Sequence, residues 1–147
     1  MSKNTIKIKK YSDVIEEHKA SGAITPGMLV IMHSATEVKA HNVSAGNAIP
    51  MFALEDELQG NGIDTDYANG APVQVWIPYR GDIVNGILAS GQNVTAGTLL
   101  TSDGAGRLKA YAGATSAADA LPLEIVGQAI EAVNASSAVK RIQVRIV

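Results

Sequence analysis

Hydrophobic and polar residues alternate along several short stretches of this chain. Residues 72–78 alternate between two prolines, which would stop a hydrogen-bond ladder at each end. In residues 141–147, every second residue is a branched apolar one, so that one face is apolar and the other polar. Ile6 and Ile8 alternate with lysines in the same way. A period of two over short stretches predicts β-strands that are buried on one face.

Turn residues separate these stretches, and helix signals are few. Residues 25–27 (Thr-Pro-Gly) precede the apolar run 28–33, and the glycine-rich residues 102–106 predict a hairpin between their flanking stretches. Only Asp13, followed by Glu16, suggests a capped helical turn. The chain is therefore predicted to be all-β, a small β-barrel or sandwich with little helix.

The second half of the chain repeats the first half in order. The matched segments are 20–22 with 89–91, 25–29 with 95–99, 39–40 with 109–110, 53–55 with 129–131, and 74–77 with 143–146. A spacing of ~70 residues is that of a whole folding unit used twice. We therefore predict two pseudo-twofold-related repeats, about 11–77 and 80–146, in a single β-domain 11–147 that follows an extended arm, residues 1–10.

Composition narrows the possible functions. The 147 residues include one Trp, one Phe and four Tyr, and only 18% are charged. A surface rich in small uncharged residues packs well against other subunits, which predicts a homo-oligomer. Cysteine is absent, which excludes disulfides and thiolate metal sites. No apolar run approaches the ~18 residues of a membrane span, so no membrane partner is expected.

Positive charge is concentrated at the N-terminus. Lys3, Lys7, Lys9 and Lys10 lie in the first ten residues, which contain no acid, whereas the whole chain has a net charge of −2. A basic arm on an acidic body suggests that the arm meets something negative. Four lysines without interleaved aromatic residues do not predict binding to nucleic acid.

No combination of residues predicts an active site. The three histidines lack the spacing of metal ligands, and residues 55–57 (Glu-Asp-Glu) are interpreted as a solvated turn. The tripeptide Arg80-Gly81-Asp82 matches a cell-adhesion motif, but Asp82 already belongs to the repeat, which favours coincidence. We therefore expect a protein that is not an enzyme and that uses no cofactor and no metal.

One stretch, residues 81–100, resembles the glycine-spaced segment of lipoyl and biotinyl carrier domains, which are also duplicated small β-barrels. Those domains carry a modified lysine on a tight hairpin. The equivalent hairpin here, residues 103–106, reads Asp-Gly-Ala-Gly and has no lysine at its tip. A carrier module or a carbohydrate-binding β-module is therefore the alternative interpretation, and the second would need exposed aromatic residues.

Three segments together resemble the decoration (cement) proteins of tailed-bacteriophage capsids. These segments are 21–30, which contains the Thr-Pro-Gly turn, 97–111, in which a Gly-Thr-Leu-Leu strand precedes a basic strand, and 125–133 followed by 141–147. The resemblance implies a non-enzymatic virion protein on the outer surface of an icosahedral capsid, made in the host cytoplasm. It would cement neighbouring subunits of the major capsid protein, and the resemblance favours a trimer over a dimer.

The N-terminal arm is the predicted capsid-binding segment. Its alternation gives one apolar and one cationic face, which could add as a strand to an exposed sheet edge of a capsid subunit. The residues of this predicted site are Thr5, Ile6, Lys7, Ile8, Lys9 and Lys10. The alternative is that the arm is the first strand of the chain's own barrel.

Overall fold

The computed structural model describes residues 3–11, 13–113 and 122–147. The prediction of an all-β fold is confirmed, since the described residues form thirteen strands and short 3-10 turns at Glu57–Gln59 and Pro122–Glu124. The strands are β1 Lys7–Lys9, β2 Ile15–Ala20, β3 Val30–Met32, β4 Glu37–Ala40, β5 Phe52–Ala53, β6 Pro72–Trp76, β7 Ile83–Leu88, β8 Gln92–Val94, β9 Leu99–Ser102, β10 Leu108–Ala110, β11 Gly127–Ala129, β12 Val133–Ala135 and β13 Lys140–Ile146. None of the described segments is a helix long and apolar enough to cross a membrane.

Each half of the chain forms its own small barrel. In the first half the strand order is β3-β4-β2-β6-β5, and a bridge between Leu29 and Phe52 joins the two outer strands. In the second half the order is β7-β10-β9-β11-β13, and β13 pairs with β7 to close the ring. The helical turn suggested by Asp13 and Glu16 is wrong, because residues 15–19 of strand β2 pair with β6.

The predicted repeat is present in the strand pairing. Strands β3 and β4 pair Val30 with Ala40, and their counterparts β9 and β10 pair Leu100 with Ala110. The predicted hairpin around residues 102–106 is the antiparallel pair β9–β10. The limits 11–77 and 80–146, and the single domain 11–147, stay predictions.

Gly27 and Gly97 occupy equivalent turns. Their φ angles are 92° and 95°, a left-handed conformation that favours glycine. The Gly27 amide donates to the Ala53 carbonyl at 2.7 Å, and the Gly97 amide donates to the Ala129 carbonyl at 2.8 Å. These turns therefore hold the same place in the two halves.

The core consists of two hydrophobic clusters. The smaller cluster fills the first barrel and includes Val38, Val73 and Val75. The larger cluster fills the second barrel and continues over the outer face of the first, where it includes Phe52 and Trp76. Burial of each large side chain stabilises the fold by roughly 1.5–3 kcal/mol. The larger cluster therefore joins the second barrel to the outer face of the first, while the first barrel has an interior of its own.

Candidate functional site

The N-terminal segment packs against the second barrel of its own chain. Strand β1 runs antiparallel to β7, with Lys7 opposite Val84. The Ile6 side chain is fully buried in the larger cluster, and the Ile6 carbonyl accepts a 2.8 Å hydrogen bond from the Asn85 amide. Ile6 therefore belongs to the hydrophobic core.

Two polar side chains anchor this segment. The buried Glu55 carboxylate accepts hydrogen bonds from the Thr5 hydroxyl at 2.6 Å and from the Ile6 amide at 3.1 Å. The Asn85 side-chain amide donates to the carbonyls of Lys3 and Thr5 at 3.4 and 3.2 Å. Because a buried carboxylate needs such donors, removal of the segment would leave Glu55 unpaired. In this structure the segment serves as a strand of the fold.

The predicted capsid-binding residues Thr5, Ile6, Lys7, Ile8, Lys9 and Lys10 thus point in different directions. Thr5 and Ile6 face the protein, Lys7 and Ile8 are half-buried, and Lys9 and Lys10 are exposed. The structure brings the six together on one segment but leaves only the last two side chains open to a partner. Capsid binding by this segment stays a prediction.

Asp13 forms ion pairs with two lysines of the N-terminal segment. Its carboxylate oxygens lie 2.5 Å from the Lys10 Nζ and 3.1 Å from the Lys7 Nζ. Hydrogen bonds first from Lys10 and then from Lys7 hold the pKa of Asp13 below its ordinary value. Part of the positive charge of the segment is therefore balanced within the chain, whereas no acid among the described residues forms an ion pair with Lys9.

Asp82 has an internal structural role. Its side chain is buried, and its two carboxylate oxygens accept hydrogen bonds from the Tyr11 amide and from the Tyr79 amide, the latter at 2.7 Å. This carboxylate is not presented to solvent, which agrees with the interpretation of Arg80-Gly81-Asp82 as a coincidental match. The proximity of these two exposed tyrosines was not predicted from the sequence, because Tyr11 and Tyr79 lie far apart in the chain.

A serine–histidine contact lies between the two halves. The Nδ1 atom of His41 lies 2.7 Å from the Ser102 hydroxyl oxygen, and the Nε2 atom lies 3.0 Å from the Asn47 carbonyl oxygen. A carbonyl requires a donor, so Nε2 carries a proton, and in the neutral imidazole Nδ1 then accepts from the Ser102 hydroxyl. Both side chains are buried at 1% and 0% exposure. This geometry favours a structural contact over an activated nucleophile, since a substrate could not reach the hydroxyl.

The hairpin that corresponds to the lysine-bearing hairpin of carrier domains is held by Asp103. Its carboxylate accepts hydrogen bonds from the Ala105 amide at 2.7 Å and from the Arg107 side chain at 2.8 Å. Gly104 and Gly106 have positive φ angles and pack closely against the first half of the chain. The hairpin tip is therefore a packing element, and it has no lysine to modify.

The comparisons with known proteins reveal a similar fold. No protein-family model matches the chain, and no curated protein sequence matches it. Among solved structures, it is similar to the N base of head fiber gp8.5 of bacteriophage phi29, with a TM-score of 0.59 and 14% sequence identity. The similarity covers 92% of this chain and 95% of the fiber-base chain. At this identity, the comparison shows a shared fold.

Proposed function

We propose that this protein is a non-enzymatic structural component of a bacteriophage particle. One observation supports the proposal above all: the fold similarity spans nearly the whole of both chains, and the similar protein is the N base of a phage head fiber. The three segments that resemble capsid decoration proteins support the same class of function independently. The buried His41–Ser102 contact offers no competing catalytic centre.

The specific role that we propose is binding to the outer surface of the icosahedral capsid, with the major capsid protein as the partner. Copies of the chain, as trimers, would cement neighbouring capsid subunits against the internal pressure of DNA. A capsid offers many copies of one site, so a trimer can bind firmly through modest contacts from each chain.

Sedimentation with capsids tests this proposal. Purified protein is mixed with expanded, empty capsids of the phage that encodes this sequence, and with unexpanded capsids as the matched control. We expect saturable pelleting with expanded capsids and little with unexpanded ones. Folded protein that stays in the supernatant in both mixtures would overturn the proposed function.

A further inference from the structure

Two exposed tyrosines stand side by side at one end of the second barrel. The ring centroids of Tyr11 and Tyr79 lie 5.4 Å apart with the planes inclined by 33°. The exposed fractions of these residues are 84% and 59%. The chain has only six aromatic residues. Placing two of them together in solvent gives up the burial that such rings supply to a core.

The tyrosines are held in place by one buried group. The Asp82 carboxylate accepts a hydrogen bond from the backbone amide of each tyrosine, one on each oxygen. This carboxylate is only 2% exposed, and a charge so placed must be fully bonded to persist. The two backbone segments are therefore fixed relative to each other before any partner arrives, which lowers the entropy cost of binding.

Cationic side chains surround the rings. Lys9, Lys10 and Arg80 line the same open hollow of about 430 Å³ as the two tyrosines. Lys10 is paired with Asp13, whereas neither Lys9 nor Arg80 forms an ion pair with any described residue. The one carboxylate among the residues that line the hollow, Asp82, is buried and bonded to backbone amides. The hollow is therefore positive, on a chain whose net charge is −2.

Tyrosine and arginine are, with tryptophan, the residue types most enriched at the energetic centres of protein interfaces. From this combination we infer that the tyrosine patch, defined as Lys9, Lys10, Tyr11, Tyr79 and Arg80, docks an acidic segment of a partner protein. The inference rests on the proposed function and makes that partner an acidic surface of the capsid. The rings would cover apolar stems of the partner, while the cations pair with its carboxylates.

Charge complementarity favours a short acidic protein segment over a nucleic acid. A duplex extends well beyond a hollow of this size, and its phosphates would then meet a chain that is acidic outside the N-terminal segment. The two rings lean on each other, so they do not offer separate platforms for successive bases. A protein segment that is acidic only at the contact avoids repulsion from the rest of the acidic chain, and it needs no separate stacking surface for each base.

The test uses two double variants of the full chain, Y11S/Y79S and K9E/R80E. Both keep the backbone amides that bond to Asp82. The matched controls are Ile49→Ser, which removes an exposed apolar side chain elsewhere, and Lys140→Glu, which reverses a charge at the far end of the β7–β13 pair, opposite Leu88. Thermal melts establish that each variant is folded, and the single variant Arg80→Glu replaces any double variant that melts early.

Binding of each protein to expanded capsids is measured by sedimentation, with duplex DNA and a soluble polysaccharide as competitors. We expect each patch variant to weaken the Kd by about tenfold or more, and each control to change it by less than about twofold. Equal binding by native and patch variants would overturn this inference and leave the proposed function standing. Native protein that does not bind capsids would overturn the proposed function. Preferential capture of the native patch by DNA or polysaccharide would overturn the acidic-protein assignment.

Discussion

The outer faces of the two barrels have the same strand pairing but opposite chemistry. In the first half, Leu29 pairs with Phe52, which pairs with Trp76, and all three are fully buried. The corresponding residues of the second half are Leu99, Gln128 and Arg145, which pair in the same order and are half-buried or exposed. A duplicated unit has thus kept its interior and changed its outer surface.

This difference explains how one fold serves two roles within a chain. The outer face of the first barrel is apolar because Ile6 and the second barrel cover it. The equivalent face of the second barrel is polar, as a solvent-facing surface requires. Association of the two halves therefore depends on a few apolar positions rather than on the barrel architecture, and substitution at equivalent positions can test this.

We expect the largest difference in the free energy of unfolding between the variants Trp76→Ala and Arg145→Ala. Truncation of the fully buried tryptophan leaves a large cavity between the barrels, and the expected loss in the free energy of unfolding is about 3–5 kcal/mol. Truncation of the exposed arginine is expected to change it by less than about 0.5 kcal/mol. Urea unfolding of the two variants gives both numbers. Comparable losses would contradict the assignment of the two faces.

The N-terminal segment provides the next comparison. Ile6→Ala removes a side chain that is fully buried against the outer face of the first barrel, and we expect a loss of roughly 2–4 kcal/mol. Ile8→Ala, at a half-buried position on the same segment, should cost about 1 kcal/mol or less. Denaturant unfolding distinguishes the two. If Ile6→Ala proves harmless, the segment is a detachable arm and not a strand of the fold.

A buried tyrosine makes the first half sensitive to alkaline pH. The Tyr67 hydroxyl donates to the Leu54 carbonyl at 2.6 Å. Desolvation, with smaller contributions from the charges of Asp56 and Glu55, raises the pKa of Tyr67 to about 12. The corresponding residue in the second half is Val133, because Ile24 pairs with Tyr67 as Val94 pairs with Val133.

Because the pKa of Tyr67 is higher in the folded than in the unfolded chain, its contribution is complete below about pH 10 and is lost as the pH rises through about 12. The loss is at most about 2.7 kcal/mol. Tyr67→Phe should be less stable than the native protein at pH 8 by about 1 kcal/mol, yet should lack this decline. Unfolding measured at a series of pH values checks both. Parallel curves for the two proteins would refute the assignment.

The smallest expected difference distinguishes the two equivalent turns. Gly27→Ala and Gly97→Ala both place a side chain in the left-handed region. A Cβ at Gly27 would also lie 2.8 Å from the Asn85 carbonyl and would displace the Arg141 side chain, whereas a Cβ at Gly97 meets open space. We expect Gly27→Ala to cost about 1–2 kcal/mol more than Gly97→Ala. Equal thermal shifts would show that the turn at Gly27 is free of the second barrel.

The repeat could be predicted from the sequence because the features that define it are local in the chain. The turn glycines Gly27 and Gly97 and the alternating strands recur in order, and each reports its own backbone conformation. The packing of the two halves against each other could not be predicted from the sequence. The alternation in residues 72–78 defines two faces of a strand, but it does not show which face is buried. Val75 and Trp76 point to opposite faces, and both are buried.

The candidate site was harder to predict for the same reason. Tyr11 and Tyr79 meet only because β1 adds to β7 and Asp82 bonds both segments. Extended towards the N-terminus, the repeat spacing of ~70 residues places Asp13 at the position equivalent to Asp82, but the Asp13 carboxylate bonds to lysines at the surface instead. Such a difference between the two repeats depends on tertiary contacts, so the spacing of the sequence repeat does not predict it.

Electron cryo-microscopy of expanded capsids, saturated with purified protein, tests the central claim most directly. We expect density for two small barrels on the outer capsid surface, with the polar face of the second barrel in solvent or against a capsid subunit and the outer face of the first barrel covered by its own chain. Capsids without added density, at protein concentrations that sediment no aggregate, would contradict it.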